Sequence, residues 1–262
     1  MRATEEAPRP APFSPRPGAA PLHRMIGAQA AVELRTMLRN GEQLLLTLAI
    51  PVLLLVLLSA LPVFEIGTTR RVDFFAPGII ALAVMSTAFT GQAINVGFER
   101  RYGVLKRLGA TPLPRSGLLA AKTASVVVVE VIQVAILAAV AFGLGWHPYD
   151  RPLAAFVLVV LGTAAFSGLG LLMAGTLRAE ATLAAANLVY IVLLALGGVI
   201  VPLTAFPAGA QTVLGLLPIS ALADGLRTVL QHGGTLPLAD VVTLAVWAVV
   251  AIAAAATTFR WE

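Results

Sequence analysis

Apolar positions fall into six long runs: Leu44–Leu61, Phe74–Gly97, Leu118–Trp146, Leu153–Leu177, Ala181–Val201 and Val241–Phe259. The first carries no charge, and as a helix it reaches ~27 Å at ~1.5 Å per residue, just enough to cross hydrocarbon. Each run predicts a membrane-spanning helix. Pro51 predicts a kink in the first. The fourth is rich in Gly162, Ser167, Gly168 and Gly170, small residues that let helix backbones approach.

Between the runs the pattern changes. Residues 22–42 are periodic, with Ile26, Ala30, Leu34 and Met37 on one stripe and Arg24, Arg35 and Arg39 opposite. This predicts an amphipathic helix lying at the membrane interface, apolar face among the lipids; the alternative is a helix packed on the bundle. The stretch Phe98–Lys122, FERRYGVLKRLGATPLPRSGLLAAK, predicts a second, short basic helix. Phe98, Tyr102, Leu105 and Leu108 fall on one side and Glu99, Arg100, Lys106 and Arg107 on the other. Gly109 and the Thr111-Pro112…Pro114 run end it. Residues 202–240 are apolar but broken by Pro202, Pro207, Pro218 and Pro237, with Asp224 and Arg227 one turn apart. Two short re-entrant helices with protein-buried backbone are expected there, or else a loop capping the bundle. Residues 1–21 hold six prolines and no apolar run, so a disordered tail is expected and a signal peptide is not. The expected organisation is that tail followed by one all-α transmembrane domain over 22–262.

Composition agrees with the spans. Charged residues make up 12%, against about 25% in soluble domains, and mean hydropathy is +0.90. The net charge of +5 does not point to nucleic acid, because the charges flank apolar runs. Six Lys and Arg residues precede the first run and six more occupy Phe98–Lys122. Arg178 and Arg260 share their side, and Arg70, Arg71, Arg151 and Arg227 lie opposite. The positive-inside rule then predicts six spans with both termini cytoplasmic.

Candidate chemistry is sparse. The three histidines have no metal spacing, and the chain has no cysteine. No GxSxG motif occurs, and neither Lys106 nor Lys122 follows a glycine as a P-loop requires. No catalytic residue, metal or bound cofactor is expected, and any ATP must be hydrolysed by another subunit. Glu130, an acid inside the third run, must face the bundle interior or a water-filled cavity. It reads as a contact for a cationic substrate, a proton relay, or a structural hydrogen-bond partner, with Gln133 beside it. Asn95 and Asn187 read first as interhelical hydrogen-bonders, and Tyr190 as a packed or interfacial ring; all three are secondary candidates for lining a pathway.

Two blocks resemble a known family. FERRYGVLKRLGATPLPRSGLLAAK is similar to the loop after the second span of ABC-2 type exporter membrane subunits, such as those for daunorubicin-like drugs. GGVIVPLTAFP…LLPIS…ADGLR at 197–227 resembles the same family's segment after the fifth span. The likeness covers about residues 22–260. It implies that 22–42 is a connecting helix. It also implies that Glu99–Leu108 is a coupling helix docking on a separate ATP-binding subunit through Glu99, Arg100, Arg101, Tyr102, Leu105 and Arg107. The segment around Pro202, Pro207, Pro218, Asp224 and Arg227 would close the pathway outside. Two permease copies or homologues would sit in a bacterial plasma membrane above ATPase subunits that hold ATP and Mg. The competing reading is a secondary transporter or channel with Glu130 as its ion or proton site.

Overall fold

The computed structural model describes residues 18–61 and 70–258, with backbone alone at 42–46 and 115. The Pro-rich stretch up to residue 17, and Arg260, lie outside the described residues. Among the described residues the fold is all helix. The elements are α1 (Leu22–Arg39), α2 (Gly41–Ala60), α3 (Arg71–Val84), a π-helical segment (Met85–Gly91) and α4 (Gln92–Arg101). There follow α5 (Val104–Gly109), α6 (Arg115–Gly143), α7 (Pro152–Thr176) and α8 (Ala179–Leu196). A 3-10 turn (Leu203–Ala205), α9 (Ala208–Gly215), α10 (Pro218–Leu230) and α11 (Leu238–Thr258) complete the chain.

Five of these rods are long and apolar enough to cross a membrane: Arg71–Arg101, Ser116–Gly143, Pro152–Thr176, Ala179–Leu196 and Leu238–Thr258. With the 20-residue α2, they match the six apolar runs. α9 and α10 meet at 94°, which gives the two short helices expected after the fifth run. α10 is mostly buried, whereas none of the α9 side chains is.

The Arg71–Arg101 rod is the centre of the bundle. Phe75, Ile79, Leu82, Met85 and Phe89 along it are essentially inaccessible, because it is apolar all round and other helices cover every side. Small residues bring α7 close to its neighbours. A Cβ on Gly168 would stand 2.9 Å from the Ala251 Cβ on α11, and one on Gly162 would stand 2.7 Å from Leu222 Cδ2 on α10. The sequence's glycine-rich run is thus a packing face.

Two boundaries differ from expectation. The first amphipathic helix ends at Arg39, where Asn40 leaves helical geometry and Gly41 begins the next rod. Its Ile26, Ala30, Leu34 and Met37 are half-buried, and α1 packs along α6. The expected single helix over Glu99–Leu108 is two pieces. α4 continues the second span to Arg101, Gly103 turns left-handed at φ 68°, and α5 follows with six residues. Glycine takes that conformation without steric cost, so it stops α4 and re-aims the chain.

Candidate functional site

Three places carry polar groups inside this apolar bundle. The first is a cleft of about 540 Å³ between α2, the π segment with α4, and α8, lined by Asn40, Thr47, Pro51, Thr90, Asn95, Asn187 and Tyr190 among others. The structure therefore gathers Asn95, Asn187 and Tyr190 at one wall. The Asn187 amide donates only within its own helix, to the Leu183 carbonyl at 2.9 Å. Thr90 Oγ1 is buried without a partner. The cleft floor is the π segment, a helical irregularity frequent at functional sites. α7 presses on it so closely that a Cβ on Gly170 would lie 2.8 Å from the Phe89 carbonyl oxygen.

Pro51 shapes the same wall. It has no amide hydrogen, so the Thr47 carbonyl one turn earlier loses its helical donor. Gln133 Nε2 on α6 supplies the missing bond at 2.7 Å, while its Oε1 accepts from Thr87 Oγ1 at 2.9 Å. Gln133 thus ties α2, α6 and the π segment together. It is not hydrogen-bonded to Glu130, whose Oε2 instead accepts from Thr163 Oγ1 on α7 at 2.6 Å. Glu130 faces the α6–α7 side, and no residue lines both its surroundings and the cleft.

The second place is the end of the bundle carrying α1 and α5. Lys122 is 4% exposed on α6. Its Nζ donates to Glu33 Oε1 on α1 at 2.8 Å and to Glu99 Oε2 on α4 at 2.5 Å. This ion triad clamps the amphipathic helix to the bundle. Glu33 was not apparent from sequence as a site residue. The signal was Lys122 itself, set in the apolar run LLAAKTASVVVV, where a buried ammonium requires a carboxylate partner.

The third place is the opposite end, where Arg227 on α10 is 5% exposed. Its guanidinium donates to Asp224 Oδ1 and to the Val199 carbonyl, each at 2.9 Å, and to the Phe74 carbonyl at 3.3 Å. It also lies 3.9 Å from the Phe74 ring centroid. Gly78 leaves room for it, since a Cβ there would fall 2.7 Å from Arg227 Nη2.

A family model for the ABC-2 type transporter matches residues 26–230. The chain belongs to that family. Comparison with curated proteins returns no match. The match makes this a multi-pass membrane protein and the permease component of an ABC-type transporter.

Within the ABC-2 fold the expected coupling residues separate into four groups. Glu99 turns inward to Lys122. Arg100 donates to the Leu177 carbonyl, and Arg101 pairs with Glu180 on α8. Leu105 is fully buried with Val96, Leu118, Leu171 and Ala174, so it anchors α5 instead of presenting a docking face. Tyr102 and Arg107 remain exposed, and so does Lys106 beside them. A helix drawn unbroken through Gly103 placed Tyr102 and Leu105 together; the left-handed turn separates them. In the segment between the fifth and sixth spans, Pro202 precedes the 3-10 turn, Pro207 precedes α9, and Pro218 starts α10. No cluster that could hold a metal ion occurs among the described residues.

Proposed function

We propose that this ABC-2 permease is the membrane subunit of an ATP-driven exporter, working with a separate ATP-binding subunit that holds Mg-ATP. The α1–α5 end faces the cytoplasm of a bacterial cell, as the concentration of Lys and Arg there supports. A second permease copy or homologue stands against α2 and α8, and the cleft between them is the transport path. Thr90, Asn95, Asn187 and Tyr190 are its polar lining. The cargo is drug-like, lipid or glycan.

The observation that carries this reading is the exposed basic hinge at Tyr102–Pro112. Leu105 seats α5 on the bundle core, and its outward side presents Lys106 and Arg107. Charges desolvated in an interface lose about 2–5 kcal/mol when one partner is removed. Lys106→Glu with Arg107→Glu is expected to leave protein level unchanged and to abolish co-purification with an ATP-binding subunit expressed from the neighbouring reading frame. An unchanged pull-down and unchanged coupling of ATP hydrolysis to export would remove α5 as the docking element.

Orientation has its own test. A cysteine replacing exposed Thr235 should react with an impermeant thiol reagent in intact cells, and one replacing Ser116 should not. The chain has no native cysteine to give background. Gly233 is unsuitable, because its φ is 65° and a Cβ would strike the Tyr149 ring at 2.7 Å. Labelling at Ser116 would invert the topology.

A further inference from the structure

An elongated groove of about 530 Å³ runs between α6 and α7, with Ile80, Leu226 and Leu230 behind it. Its mouth is formed by Val127, Val131, Phe156 and Val160, which are 41%, 62%, 63% and 46% exposed. Val127 and Val131 lie on the middle turns of α6, and Phe156 and Val160 on the second and third turns of α7, both spanning helices, so the mouth opens to lipid. Almost everything else lining the groove is apolar, and none of its lining residues is Lys, Arg or His.

Two polar atoms in this groove have no partner. Glu130 is 2% exposed; Thr163 Oγ1 serves its Oε2, but Oε1 is buried without a donor. Trp146, near the outer end of the groove, is 4% exposed and its Nε1–H has no acceptor. Glu130 stands near the middle of α6, roughly 20 Å from either end at ~1.5 Å per residue. A buried carboxyl oxygen left without a donor at that depth is unfavourable, and a bound donor offsets this.

We propose that the α6–α7 groove binds a lipophilic amine drawn from the bilayer, its apolar body along the groove and its ammonium donating to Glu130 Oε1. An anionic amphiphile meets an acceptor with no compensating cation, and a glycan finds no polar wall. A phosphate headgroup lacks the basic lining it requires. The groove shares no residue with the α2–α8 cleft. The proposal therefore stands apart from the export reading and needs only this chain in a membrane.

Trp146 is the reporter. With Trp247→Phe and Trp261→Phe, it is the last of the three tryptophans. The protein in phosphatidylcholine nanodiscs is titrated with nitroxide-labelled dodecylamine or with its N-acetylated, uncharged counterpart. The amine is expected to quench Trp146 at about ten-fold lower mole fraction than the amide, the gain of a charge-assisted hydrogen bond. Glu130→Gln should remove most of that preference, and Val127→Phe, which fills the groove but keeps the carboxyl, should weaken both ligands. Equal quenching by amine and amide would overturn the proposal. So would full preference in a monodisperse Glu130→Gln protein, or unweakened binding in Val127→Phe. The last result decides the matter even if Glu130→Gln does not fold.

Discussion

Lys122 and Arg227 are both buried cations, one at each end of the bundle, and they hold it by different means. Lys122 is a point charge shared by two carboxylates, Glu33 and Glu99, so its clamp is almost wholly ionic. Arg227 uses one carboxylate, two backbone carbonyls and an aromatic face, so its clamp is mostly directional. A planar guanidinium serves several acceptors at fixed angles, whereas an ammonium cannot reproduce that fork. The difference follows from what each end must hold. Arg227 fixes irregular backbone after α8, where carbonyls lack helical donors. Lys122 fixes one finished helix against two others, where backbone is already satisfied and only side chains remain to be paired.

That contrast is easiest to break at Arg227. Arg227→Ala leaves Asp224, the Val199 carbonyl and the Phe74 ring without their partner, and is expected to cost about 3–5 kcal/mol. Little monodisperse protein should survive detergent extraction. Arg227→Lys should recover only a minor part; full recovery, read as the thermal midpoint in detergent, would show that the site needs charge alone. Lys122→Met comes next, at about 3 kcal/mol, because two adjacent carboxylates lose their shared cation. Glu33 and Glu99 are 14% and 23% exposed at their side chains, so some water reaches them. Adding Glu33→Gln and Glu99→Gln to Lys122→Met should restore most of the midpoint, since the repulsion then vanishes. No analogous neutral swap should rescue Arg227→Ala, whose lost partners include main-chain carbonyls. The smallest effect belongs to Arg101→Ala. Its ion pair with Glu180 is half exposed on both sides, and such pairs contribute about 0–1 kcal/mol. A large midpoint shift there would mean that exposed charge, too, holds this end together.

Much of the fold was legible because hydrocarbon leaves few options. Uninterrupted apolar runs must be helices, and prolines at 202, 207 and 218 do mark the short elements between the last two spans. Asp224 and Arg227, one turn apart, were visible as a pair; that the pair's cation also reaches Val199 and Phe74 was not, because those contacts join residues far apart in sequence. The Phe98–Lys122 stretch was readable as basic and amphipathic, but a periodicity drawn through Gly103 assumed a right-handed residue where the chain turns left-handed. Glu99 illustrates the same limit. An acid among arginines looks like a surface charge until α6 brings Lys122 beside it. For Glu130 the sequence offered Gln133 as the neighbour three residues along its own helix, and packing chose Thr163 from α7 instead.

One borrowed bond has a mechanical meaning. A helix missing one internal hydrogen bond is more compliant at that turn, and in α2 that turn is Thr47–Pro51. Because Gln133 of another helix fills the gap, the compliant joint is latched from outside. If α2 flexes during a transport cycle, either α6 must travel with it or the latch must open. Opening it would also free Thr87, and so release the floor of the cleft in the same movement. A hinge, its catch and the wall it borders would then act as one moving part.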